Sequence, residues 1–261
     1  MGKIYAAYFS ATGTTEKIVT CIANTLSGGA AEIFDFTLPK AREEKAVFTK
    51  EDAVVFGVPV YAGRVPNVLL KYLNTIEGGG AKAVAVVLYG NRNYDDALIE
   101  LCKILEGGGF DTVAAAAFIG EHSFSKKLAA GRPDEKDIKI AEEFALKIDL
   151  TKTGPIKVKG EDPLRGYYQP RDRYGNPINI LKVKPKTSNA CIKCGLCARV
   201  CPMGSISPED VSRFTGICIK CGACVKKCPV GAKYYDDAGY EYHKSELEAM
   251  YERRAEPELF L

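Results

Sequence analysis

Eight of the ten cysteines fall between Cys191 and Cys228, in two copies of one pattern, CIKCGLCARVCP at 191–202 and CIKCGACVKKCP at 218–229. The copies agree at 8 of 12 positions with an offset of 27 residues, which duplication of a small unit explains. Each reads C-x2-C-x2-C-x3-C-P. Three thiolates spaced in this way wrap three corners of an iron–sulfur cube, while the backbone N–H groups between them can turn toward its sulfides. The fourth, drawn into an extended approach by its proline, points away and reaches the neighbouring cube. The spacing therefore assigns Cys191, Cys194, Cys197 and Cys228 to one [4Fe–4S] cluster, and Cys218, Cys221, Cys224 and Cys201 to a second. Structural zinc sites instead pair two C-x2-C units across a longer loop. Disulfides belong to secreted chains, and MGKIYAAYFS does not read as a secretion leader. Lys193, Arg199, Lys220, Lys226 and Lys227 surround the cysteines. They could offset cluster charge, meet an acidic redox partner, or form an ordinary solvated face.

A second stretch with chemical potential follows the first apolar run. Ser10-Ala11-Thr12-Gly13-Thr14-Thr15 leads into the helical pattern TEKIVTCIANTL, so hydroxyls and free N–H groups gather at a helix N-terminus, where a phosphate is favoured. The Gly-Lys-Ser/Thr of a Walker loop is missing, and a Rossmann dinucleotide loop would need three glycines where only Gly13 stands. Asp35 then reads as a strand-end acid.

These residues need a frame. Apolar runs at 3–9, 31–36, 52–60, 82–90 and 110–119 alternate with helical patterns, the last at 134–149. That alternation predicts an α/β fold with a doubly wound, five-stranded parallel sheet over 1–150, whose ligands sit beyond the carboxyl ends of the strands. Those ends carry Ser10 to Thr15, then Pro59-Val60-Tyr61-Ala62-Gly63-Arg64, then Gly90-Asn91-Arg92-Asn93-Tyr94-Asp95. Prolines spaced through a basic stretch make 151–186 an extended linker. A small α+β cysteine domain occupies 187–235. Residues 236–261 form a C-terminal helix or tail, with a capping box at Ser245 and Glu248 and a closing apolar LFL, expected to dock.

Two resemblances join these observations. Residues 187–235 are similar to the bacterial two-cluster ferredoxins, which implies one-electron transfer at low potential. Ser10, Thr12, Gly13 and Thr15 match the S/T-x-T-G-x-T phosphate loop of flavodoxins, a loop that uses neutral hydroxyls, and this implies FMN. By the same resemblance, 59–64 and 90–95 bracket the isoalloxazine, with Tyr94 matching the stacking tyrosine of the third loop and Tyr61 standing where many flavodoxins place another aromatic. Arg64 and Arg92 depart from the acidic surroundings usual there. A guanidinium beside the ring would raise its second reduction potential. Over nearly its whole length, including YYQP in the linker and the closing EPELFL, the chain resembles the family of fused flavodoxin–ferredoxin proteins.

The implied function is electron transfer between two [4Fe–4S] clusters and FMN, and on to a redox partner, either a ferredoxin or an oxidoreductase. The alternative is an FMN-dependent oxidoreductase reducing a small acceptor such as a quinone. His122, after the fifth strand, and Arg92 are its catalytic candidates. His243, Cys21 and Cys102 read as structural. A formal charge of +3 spread along the chain does not suit nucleic acid, and cofactors would bring the loaded protein to about −3. No apolar run is long enough to span a membrane, a cytoplasmic location is expected, and the sequence leaves open whether two chains pair.

Overall fold

The computed structural model describes residues 2–261. Five parallel strands, β1 (Ile4–Tyr8), β2 (Glu32–Asp35), β3 (Ala53–Pro59), β4 (Lys82–Tyr89) and β5 (Asp111–Ile119), alternate with helices α1 (Thr14–Ser27), α2 (Asn67–Leu73), α3 (Ala97–Gly107) and α4 (Glu135–Ala145). The spatial order is β2-β1-β3-β4-β5, so the direction in which strands are added to the sheet reverses between β1 and β3, and the loops after these two parallel strands open a crevice at the carboxyl edge. The expected doubly wound sheet is present.

Strand β4 shows why the frame forms. Ala83, Ala85, Val87 and Tyr89 face one layer while Val84, Val86 and Leu88 face the other, and all seven are buried. A strand covered on both sides reads as a continuous apolar run rather than an alternating one. Ile18, Val19 and Ile22 of α1 pack with Ala141 and Phe144 of α4 on one face. Leu69 and Leu73 of α2 pack with Leu98, Leu101, Cys102 and Leu105 of α3 on the other. Cys102 is thus a core thiol, as its spacing suggests.

The rest of the chain is bound tightly to this sheet. The proline-rich segment is a strap rather than a free linker. Asp96 accepts the Glu161 and Arg165 N–H groups at 3.0 and 2.7 Å and pairs with the Arg165 guanidinium, and the Tyr168 N–H donates to the Ala62 carbonyl at 2.8 Å. The cysteine module comprises β6 (Lys186–Thr187), the single-turn helices α5 (Leu196–Arg199) and α6 (Ala223–Lys226), and β7 (Lys233–Tyr234), which pairs antiparallel with β6.

The C-terminal helix α7 (Ala238–Met250) begins earlier than expected. Asp237 is its N-cap, accepting the Tyr240 N–H at 2.9 Å, and Ser245 sits mid-helix with its hydroxyl donating to the Glu241 carbonyl. Ser245 and Glu248 therefore do not form a capping box. The closing residues become β8 (Glu258–Phe260), which adds antiparallel to β5 and makes a six-stranded sheet. No helix among the described residues is long and apolar enough to cross a membrane.

Candidate functional site

The cysteine repeat is also a structural repeat. Lys193 and Lys220, 27 residues apart, both take left-handed backbone with φ of 55°, followed by Gly195 and Gly222 at 71° and 77° and by Gly204 and Gly231 at 59° and 61°. Bulky residues rarely enter that region. The same irregular loop is therefore imposed twice, as wrapping a bulky inorganic group requires. Ser205 N–H reaches the Cys201 sulfur at 3.4 Å, and Ala232 N–H reaches the Cys228 sulfur at 3.2 Å, at equivalent positions in the two copies.

Two cavities result. The outer one is lined by Cys191, Cys194, Cys197 and Cys228; the inner one is lined by Cys201, Cys218, Cys221 and Cys224. Each set takes three cysteines from one copy and the last cysteine of the other, the crossed arrangement drawn from spacing. Among the described residues no three His, Cys, Asp or Glu side chains converge as they would on a single ion. Thiols arrayed around a cavity suit a cube. The two cavities differ in setting: Cys194 is exposed in the outer one, whereas Cys224 is buried in the inner one.

At the carboxyl edge of the sheet lies a third cavity. It is lined by Ala11, Thr12, Thr14 and Thr15, by Pro59, Val60 and Tyr61, by Leu88, Tyr89 and Gly90, by Gly120, Glu121, His122 and Ser123, and by Cys221. Gly13 caps α1, and among the described residues no protein group accepts the N–H groups of residues 11–15. Unpartnered amides, threonine hydroxyls and a helix N-terminus without a cation fit a phosphate. Ser10 does something else. Its hydroxyl accepts the Glu16 N–H at 3.0 Å while its own N–H donates to Thr37, so it braces the loop from behind.

The second and third loops depart further from expectation. Tyr61 lines the cavity, and burial together with the nearby Cys221 and Cys218 raises its phenol well above the usual range. Tyr94 does not line it. It is buried against Tyr89, with its hydroxyl donating to Glu258 of β8 at 2.9 Å. Asn91 is turned to the C-terminal segment, donating to the Tyr251 and Arg253 carbonyls, and Asn93 accepts the Asp95 N–H. The added strand and the segment before it thus claim the loop that resemblance had given to the ring.

Both arginines are engaged elsewhere as well. Arg64 forms a two-pronged pair with Glu100 at 2.6 and 2.8 Å and stacks over Tyr167, and the Val65 N–H also donates to Glu100. Arg92 pairs with Asp95 and lies 4.3 Å from the Tyr168 ring centre. Ala62 and Gly63 form the left-handed turn between Tyr61 and Arg64 and do not line the cavity.

His122 lies in the cavity, packed so closely on Gly90 that a side-chain carbon there would sit 2.3 Å from its ring. Its Nδ1 accepts the Phe124 N–H at 3.1 Å. Burial, with Lys226, His243 and Arg92 nearby, pushes the imidazole down to about 3. His122 is therefore a neutral ring whose proton sits on Nε2, and not an imidazolium acid at neutral pH. His243 is buried in α7 against Phe124 and Tyr168, a structural role.

Contacts between the two units hold Cys221 in place. Lys226 pairs with Glu121 and donates to the Ser125 carbonyl, Arg42 donates to the Pro202 carbonyl at 2.6 Å, and the Phe124 and Tyr235 rings both pack on Tyr240 of α7. Lys226 is thus a docking residue, and Lys220 donates to the Leu181 and Cys218 carbonyls. Lys193, Arg199 and Lys227 remain exposed without a carboxylate partner among the described residues. Sequence reasoning missed Cys221 and Tyr89 as cavity walls, because neither lies in a loop that a flavin motif marks.

The family profile described as a flavodoxin domain matches residues 5–94, and that described as a 4Fe-4S dicluster domain matches residues 190–232. Among solved structures, a flavodoxin from the domain Archaea is 15% identical with a TM-score of 0.39, covering 55% of this chain and 94% of its own. A flavodoxin of Streptococcus pneumoniae TIGR4 is 19% identical with a TM-score of 0.38 over the same shares of 55% and 94%. No curated protein matches the chain. The two domain matches fall on the sheet with its phosphate loop and on the paired cysteine cavities, so the chain joins a flavodoxin-like domain to a 4Fe-4S dicluster-like domain in one polypeptide, the make-up of a flavin and iron–sulfur electron-transfer protein.

Proposed function

We propose that the chain carries electrons between an external redox protein and FMN, with its three cofactor sites in line: outer cysteine cavity, inner cysteine cavity, flavin cavity. The observation that carries this reading is that Cys221 lines both the inner cysteine cavity and the flavin cavity. When bound, the clusters supply one-electron storage and FMN supplies one- and two-electron storage.

The chain's own residues set the order. Cys191, Cys194, Cys197 and Cys228 would hold the outer group, with Cys194 at the surface, whereas Cys201, Cys218, Cys221 and the buried Cys224 would hold the inner one beside Ile206, Phe214, Ile219 and Tyr235. Residues 11–15 would hold the flavin phosphate, and Tyr61 and Tyr89 line the same cavity and would contact the flavin. The Lys226–Glu121 pair and the packing of α7 fix residues 1–150 against residues 187–235. All ten cysteines are free of disulfides, which fits a reducing compartment such as the cytoplasm.

The chemistry of the partner follows from the outer face. Ile192 and Val230 are 62% and 42% exposed at that cavity, with Lys193, Arg199 and Lys227 around them. Residues 187–235 contain seven Lys and Arg against two Asp and Glu. An apolar centre within a basic ring fits an acidic electron-carrier protein. Rapid mixing with a reduced acidic ferredoxin tests this. Lys193→Glu with Lys227→Glu should lower the association rate about tenfold and flatten its salt dependence, while an unchanged rate would remove the outer face from the reading.

A second reading, reduction of a small acceptor such as a quinone, is favoured by one observation, the neutral His122 with its Nε2–H in the flavin cavity. Selective turnover of a quinone by the reduced holoprotein, lost in His122→Phe, would establish it.

A further inference from the structure

Lys233 is a buried ammonium without an acid. It is 3% exposed; its Nζ donates to the Thr187 hydroxyl at 2.7 Å and to the Val211 carbonyl, and lies 5.4 Å from the Phe214 ring centre. Among the described residues no carboxylate forms an ion pair with it; Asp236, the nearest carboxylate in sequence, pairs with Lys186 instead. Neutral oxygens and a ring do not balance a full charge withdrawn from water, and a lone buried ammonium costs several kcal/mol unless an opposite charge stands near. The opposite charges at hand are thiolates. Lys233 lines the outer cysteine cavity together with Cys191, Cys194, Cys197 and Cys228.

The internal repeat supplies a built-in comparison. Lys233 and Ile206 stand 27 residues apart at equivalent positions, and each is 3% exposed. Ile206 lines the inner cavity and Lys233 lines the outer one. The second copy therefore carries a cation where the first carries an aliphatic side chain, in the same buried place. A positive charge held in a low dielectric favours the more negative oxidation state of a group beside it.

We propose that Lys233 is a tuning residue that makes the outer cluster easier to reduce than its inner twin. The proposal rests on the reading that each cysteine cavity holds a cluster. It gives the pair of sites a built-in asymmetry: an electron delivered from outside is stabilised at the exposed site, next to where a partner would dock.

Potentiometric titration of the anaerobic holoprotein, followed by electron paramagnetic resonance, tests it. The outer signal is identified by its loss in Cys194→Ser. Lys233→Ile, which copies Ile206, and Lys233→Met should each lower the equilibrium constant for one-electron reduction of the outer cluster at least tenfold, about 59 mV at n = 1. The inner cluster should shift less, and Lys233→Arg should stay near wild type. A neutral variant that holds eight irons with both midpoints unchanged, or that shifts the inner cluster more than the outer, overturns the proposal. Should both neutral variants fail to assemble iron, Lys233→Arg decides. Assembly at wild-type midpoints shows that the charge is required and supports the role; failure shows that the shape is required and overturns it. Wild-type protein with fewer than eight irons would instead reject the reading of the cavities, a result distinguishable from any variant effect.

Discussion

Gly222 of the cysteine module meets Ser123 of the loop after β5 so closely that a side-chain carbon on the glycine would lie 2.7 Å from the Ser123 carbonyl oxygen. The contact seats Cys221 in the wall of the flavin cavity. Its repeat counterpart, Gly195, has the same left-handed backbone, but a carbon there would meet only the flexible end of Arg199 at 3.1 Å. Gly195→Ala should therefore cost only the backbone strain, about 1–2 kcal/mol. Gly222→Ala carries that strain plus a clash with fixed backbone, and should loosen the docking of the two units. Limited proteolysis of the 121–131 loop should accelerate in Gly222→Ala and not in Gly195→Ala.

Ser10 and Thr12 belong to the same phosphate motif but should respond differently. Ser10→Ala removes the acceptor for the Glu16 N–H and should cost about 1 kcal/mol of stability, with FMN affinity nearly intact. Thr12→Val removes a hydroxyl in the cavity wall and should weaken FMN by about 1.5–3 kcal/mol, roughly ten- to a hundredfold in Kd. Flavin fluorescence titration and denaturant unfolding, run on both variants, separate the two effects.

How far these features were legible in the sequence depended on how local their cause is. The cysteine cavities were readable because ligand spacing, the C-P pairs and the 27-residue offset are all encoded within 38 residues of chain. The sheet was readable because strands buried on both faces, such as β4, need unbroken apolar runs. Tyr94 and Arg64 were misassigned for the opposite reason. Their partners, Glu258 and Glu100, lie 164 and 36 residues away, and no local signal announces an added edge strand or a buried ion pair. Lys233 did leave a trace, a charged residue where its repeat counterpart Ile206 is apolar, which aligning the two copies past their prolines would have exposed.

Arg64 should prove structural. Arg64→Ala leaves Glu100, which is 5% exposed, without its counter-charge, and the cost of an unpaired buried carboxylate is about 3–5 kcal/mol. The flavin midpoints should not move, because Arg64 does not line the cavity. Denaturant unfolding and a redox titration of the same preparation check both halves.

Asp96 should tie the strap down in a pH-dependent way. Hydrogen bonds from the Arg165 guanidinium hold its carboxyl at about 2, against a usual 3.8. Because the folded value is the lower one, the attachment is fully present above about pH 4 and is lost as pH falls through about 2. Hydrogen exchange at the Glu161 and Arg165 amides should quicken, relative to the intrinsic rate, between pH 4 and pH 2. Asp96→Asn should already show quick exchange at pH 6, with no further pH dependence.

The most direct measurement is pulse radiolysis of anaerobic holoprotein containing eight irons and one FMN per chain. With Cys221 shared by the inner cysteine cavity and the flavin cavity, electrons injected into the clusters should reach the flavin in a first-order phase whose rate does not change with protein concentration. A flavin signal that rises in proportion to protein concentration, or that stays oxidised while the clusters remain reduced, would contradict the in-line arrangement.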